Sequence, residues 1–229
     1  MARHEKISQG EFRAVCLRDI AVFPGSRLSC EVNEQYERLC SRAESGRELI
    51  VAVPEMPDPA GEYITAEYGT LCAVELVSKI PGSAPKVSFF GLKRVKIDDL
   101  SVERKAVTVK VTVTDIVTDR SIETDAMCGE LRKIFGEMSD FMFHVSDELT
   151  AQMKSTFDPG TLADLIASVA LINIEDKVLV LAENDPMARA ALVAKLLLQI
   201  KEDILNTNID TLTPVEALMK LNEIKKLLK

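Results

Sequence analysis

The chain has 229 residues, 47% of them hydrophobic and 28% charged, which excludes a disordered chain and supplies enough apolar surface for a packed core. Its 28 basic and 36 acidic residues give a net charge of −8, which disfavours a general polyanion binder because phosphate affinity rests on clustered Lys and Arg. Aromatics are 5% and Trp is absent, so no rich platform for stacking bases is present. The uncharged apolar stretch Leu165–Ile174 is too short to cross a bilayer, which takes about 20 residues. The N-terminus is charged and leads into no apolar run, unlike a secretory signal. Five cysteines (Cys16, Cys30, Cys40, Cys72, Cys128), odd in number and without a Cys-x-x-Cys pair, read as reduced, mostly buried thiols of a cytoplasmic protein.

In chain order, Arg13–Leu17 is a short strand. Asn33 caps a helix whose Tyr36, Leu39, Cys40 and Ala43 fall on one face, and Gly46 ends it. Leu49–Val53 is an apolar strand stopped by Pro54, and the Pro- and Gly-containing stretch 56–68 reads as a long loop. Thr70–Ile80 and Lys86–Leu92 are strands joined by a hairpin loop at 81–85. In Ala106–Val117, Val107, Val109, Val111 and Val113 alternate with Thr and Lys, giving one core face and one wet face.

At Thr118 the period changes from 2 to about 3.6. Met127, Leu131, Ile134 and Met138 step along one helix face. Asp158-Pro159 opens a helix through Ala170, and Asp185-Pro186 opens another over about 187–205, apolar nearly all round and expected at the centre of a bundle. After a polar break at Asn206-Thr207-Asn208, Thr213 and Glu216 form a capping box. Ala217, Leu221, Ile224 and Leu228, with Leu218 beside them, then make an apolar face that needs a surface to lie on, in this chain or another. The expected division is therefore 1–119 (sheet), 120–205 (helices) and 206–229 (linker and tail helix).

The motifs of catalysis are missing. There is no Gly-rich Lys-Ser/Thr phosphate loop, no Gly-x-Ser-x-Gly elbow and no His-Glu-x-x-His, so no cofactor or metal is expected and two histidines do not favour zinc. Cys128 with His144 is a weak nucleophile pairing, outweighed by a core role for Cys128. Asp98-Asp99 lies at a strand end, where alternation should aim the two carboxylates to opposite faces. Lys93, Arg94 and Lys96 read as a solvated strand end. Phe135, Met138, Phe141, Met142 and Phe143 are by default core packing. Their adaptable apolar groups also fit capture of partner chains, with Tyr63 and Tyr68 as an apolar rim.

The stretch Leu17-Arg18-Asp19-Ile20-Ala21-Val22-Phe23-Pro24 resembles the opening of the Lon protease N-terminal domain. In the same order, Leu49–Val53, Tyr68-Gly69-Thr70-Leu71-Cys72-Ala73, Pro81-Gly82 with Lys86-Val87, and Gly91-Leu92-Lys93-Arg94-Val95 resemble its strands. The stretches 162–167 and 175–179 resemble its bundle helices, and the likeness runs over about residues 12–205. The resemblance implies an α+β fold: an N-terminal PUA-like β-barrel followed by a C-terminal α-helical bundle, here with a short tail helix. It also implies recognition of protein substrates and association of protomers. Within Ser26–Asn33 the family's usual Pro and Gly are replaced.

The expected function is a non-catalytic, stand-alone substrate-binding domain without the ATPase and protease domains, capturing exposed hydrophobic segments of unfolded or partner proteins. A homo-oligomer is compatible with this; membrane binding is not expected, and nucleic acid is disfavoured. The alternatives are an assembly or regulatory subunit docking through its tail helix, and a PUA-like binder of RNA or a small ligand.

Overall fold

The structure, a computed structural model, describes residues 8–44, 48–79, 82–103, 106–139 and 145–206. Seven strands come first: β1 (Gln9–Arg18), β2 (Arg27–Glu31), β3 (Ile50–Pro57), β4 (Tyr63–Thr65), β5 (Tyr68–Ser78), β6 (Lys86–Glu103) and β7 (Ala106–Val113). A 3-10 turn at Glu34–Tyr36 and helix α1 (Glu37–Ala43) interrupt them between β2 and β3. Five helices follow: α2 (Ile122–Ser139), α3 (Asp147–Ser155), α4 (Pro159–Ala170), α5 (Ile174–Ala182) and α6 (Pro186–Asn206).

The strand order is β1-β7-β6-β5-β3-β4, with β2 paired to β6. β1 runs antiparallel to β7 along one edge and parallel to β3 along the other. Val107, Val109 and Val111 of β7 are buried as their alternation requires, whereas Ile50–Val53 is buried at every position. That continuous burial has a cause: β1 and β5 pair with both edges of β3, its side chains lie in the sheet core, and α5 packs against the strand.

Three local readings change. The stretch 56–68 is not a long loop: β3 runs on to Pro57, and the turn after it leads into β4. Asp58 shapes this turn, its Oδ1 accepting from the backbone N–H of Ala60 and of Glu62, both at 2.9 Å. β2 carries no apolar alternation and is fixed by its pairing with β6. The long last helix is not the centre of the helical half either. That place belongs to α4, nine of whose twelve residues are buried, while α6 leaves Leu198 and Ile204 exposed.

Two apolar cores result. One fills the sheet and includes Phe89, Leu71 and Ile50; the other gathers Leu131, Leu162, Ile166, Leu181 and Leu197 from the helices. Phe23, in the loop between β1 and β2, joins the helical core. Its carbonyl lies so close to Gly91 of β6 that a Cβ there would collide with it, while Gly91 exchanges backbone hydrogen bonds with Gly25 (2.9 Å) and Ser26 (3.0 Å). Among the described residues no helix is long and apolar enough to cross a membrane.

Candidate functional site

Where sheet meets helices, β6 turns a charge inward. Val95 faces the sheet core and its neighbour Arg94 faces the helices; both are fully buried. Arg94 Nη1 donates to the carbonyls of Val180 (3.0 Å) and Leu181, at the C-terminal end of α5 where a cation is favoured. Its Nη2 donates to Asp164 Oδ1 of α4 at 2.5 Å. Arg189 of α6 places Nε 3.4 Å from the same oxygen and donates through Nη1 to the Glu183 carbonyl at 2.7 Å. The Arg94 backbone N–H donates to Asp115, whose carboxyl burial pushes above the usual range. The cluster has no nucleophile, and its Arg94, Asp164 and Arg189 are shut off from water, so it fixes sheet to helices. It also removes the central member of the basic trio Lys93, Arg94 and Lys96, which is therefore not a solvated strand end.

The other chemical candidates are equally engaged. Cys128 is fully buried, its Sγ donating to the Phe157 carbonyl at 3.4 Å, and burial pushes the thiol up. His144 lies outside the described residues. Asp98 accepts from Thr112 Oγ1 at 2.8 Å and Asp99 pairs with Lys110 at 3.5 Å. Both partners lie on one face of β7, two residues apart. A bulge between Ile97 and Asp99 overrides the alternation that should have separated these carboxylates.

The protein-binding candidates scatter. Tyr63 is exposed on β4, its ring under the Arg18 guanidinium at 4.9 Å and its hydroxyl donating to Asp19 at 2.6 Å. Tyr68 turns instead to the helical core, its hydroxyl accepting from Asn184 at 3.0 Å. Met138 is buried and Phe135 is partly buried, both in the helical core. Phe141, Met142 and Phe143 lie outside the described residues, as do Ala217, Leu218, Leu221, Ile224 and Leu228.

Two surface features stand out instead. The connector from β7 to α2 carries Ile116 and Val117 (84% exposed) and ends at Ile122 (89% exposed). Its Thr118 N–H donates to Asp158 at 3.1 Å, and Arg120 lies 4.2 Å over the ring of the exposed Phe157, so the connector and Phe157 lie beside the N-terminus of α4. The signal available in the sequence was the pair Ile116-Val117, which extends past the alternating face of β7 into a polar stretch. The second feature is an open groove of about 600 Å³ between α2 and α6, floored by Met127, Ala194 and Leu198 and rimmed by Glu130, Lys195 and Glu202.

A family model described as the ATP-dependent protease La (LON) substrate-binding domain matches residues 11–199. Lon protease of Elusimicrobium minutum is 28% identical over 193 residues, covering 80% of this chain and 23% of that protein. Lon protease of Geobacter metallireducens is 28% identical over 182 residues, covering 76% of this chain and 22% of that protein. The chain thus spans about a quarter of the length of the curated relatives it matches. Among solved structures, the N-terminal domain of Mycobacterium avium complex Lon protease superposes with a TM-score of 0.66 at 18% identity, covering 82% of this chain and 98% of that one. A Lon N-terminal domain protein from Xanthomonas campestris gives 0.58 at 14% identity, with coverage of 82% and 98%. The same sheet-then-helices fold recurs in both, and the chain belongs to the Lon protease substrate-binding domain family.

Proposed function

We propose that this chain is a non-catalytic recognition module that captures exposed hydrophobic segments of protein substrates. Its membership of the substrate-binding domain family supports this reading. The observation that carries it to a place on the surface is the set of exposed apolar residues Ile116 and Val117 on the connector, Ile122 at the start of α2, and Phe157 before α4, which the Thr118–Asp158 and Arg120–Phe157 contacts tie to the connector. Water-facing apolar side chains gain by covering, and a peptide laid across them buries its own apolar groups as well. Arg120 stacks over Phe157 while its Nε is held by Asp125 at 3.1 Å, which makes the rim polar. The pairing of β1 with both β7 and β3 supports reading the sheet as the PUA-like barrel, and the change from strand to helix between Val113 and Ile122 supports the division into two units there.

Ordering a flexible segment consumes much of the gain, so affinity near the micromolar range, about 8 kcal/mol, is expected. The test is titration of a reduced, alkylated model protein that cannot refold, beside the same protein in its native state. Saturable binding of the unfolded form alone supports the proposal. A flat titration into the millimolar range overturns it.

A further inference from the structure

We infer that the groove between α2 and α6 is the seat of this chain's own sequence-predicted tail helix, residues 214–228. The groove floor is apolar, with Met127 and Ala194 half-buried and Leu198 44% exposed on an otherwise charged face. The tail offers the matching surface, since Ala217, Leu221, Ile224 and Leu228 recur every three to four residues. Reach and length agree. The polar Asn206-Thr207-Asn208 and the capping box at Thr213 place a break between the two helices, and the seven residues Thr207–Thr213 fall within the usual two to eight of a helix–helix connection. From Ala191 to Asp203 the groove extends along α6 for about 18 Å, and a helix over 214–228 is about 22 Å long. A turn centred near Asp210 would set Leu221 beside Leu198 and Gln199, and Leu228 beside Ala191.

Charge agrees as well. Glu130 and Glu202 rim the groove, and the tail brings Lys220, Lys225 and Lys226. A 15-residue helix is marginal by itself, so a tail seated here gains the packing it lacks.

The test uses the full chain carrying Leu198→Cys and Leu221→Cys, oxidised at rising protein concentration. Each single variant serves as a control for the native thiols. An intrachain disulfide whose yield is independent of concentration is the expected result. Covalent dimers that grow with concentration would assign the groove to a second copy and overturn the inference. Absence of any cross-link, with both thiols open to maleimide, would overturn it too. A second readout avoids the cross-link. A tail seated nine-tenths of the time slows maleimide labelling of Leu198→Cys about tenfold, and adding Leu221→Asp restores the fast rate. Equal rates with and without Leu221→Asp would overturn the inference.

Discussion

Arg94 of β6 and Asp164 of α4 meet at 2.5 Å with both side chains shut off from solvent, joining the sheet to the most enclosed helix. Removing one partner strands the other. Arg94→Met leaves the α5 carbonyls without their donor and Asp164 with Arg189 alone, so a loss of about 3–5 kcal/mol is expected in urea unfolding. Arg94→Lys should recover little, because a single ammonium cannot reach Asp164 and the α5 carbonyls in the fork geometry. A loss under about 1 kcal/mol for Arg94→Met would show that the pair does not hold the halves together.

Gly91 tests the same junction through the backbone. Its missing Cβ makes room for the Phe23 carbonyl, so Gly91→Ala should cost about 3 kcal/mol or more, because backbone must move. Gly129, exposed within α2 with nothing near its absent Cβ, is the control: Gly129→Ala should stabilise by about 0.5–1 kcal/mol through helix propensity. Thermal or urea midpoints that move the same way in both variants would contradict this.

The thiols of the sheet core set an alkaline limit. Burial pushes Cys16 and Cys30 up to about 11 and Cys40 up to about 12. With pKa raised in the fold, these groups hold their protons more tightly than the unfolded chain does. Their stabilisation is complete below the ordinary thiol pKa of about 8.5 and is lost as pH rises toward 11–12. Urea midpoints should therefore stay level up to about pH 8.5 and fall above about pH 9, with a shallower fall in Cys40→Ala. A level midpoint to about pH 10.5 would rule this out.

Recognition and core packing should separate cleanly by mutation. Val117→Asp with Ile122→Lys should weaken capture of the unfolded model protein tenfold or more. It should leave the thermal midpoint nearly unchanged, since both side chains are in water. Met138→Ala should do the reverse, costing about 2–5 kcal/mol of stability with little direct effect on binding. Weakened binding in Met138→Ala at a temperature where it is fully folded would return that residue to the binding surface.

The sequence by itself determined the strands β1, β3 and β5 to β7, the helices α1, α2, α4 and α6, and the change of period near Thr118. Alternation at Val107–Val113, the Asp-Pro caps of α4 and α6, and the ordered motifs of the family are local signals, carried by a few neighbouring residues. What it left open depends on contacts far along the chain. Strand β2 exists because β6 offers it an edge. The bulge at Ile97/Asp99 reverses the expected separation of two carboxylates. Arg94, one basic residue among three in the sequence, becomes the buried link to a helix 70 residues away. The apolar residues of the connector stay in water because β7 has ended and α2 has not begun, so no element among the described residues covers them. Periodicity reports which side of its own element a residue faces. Only packing decides what stands opposite, and so which faces bury a charge and which remain free to bind.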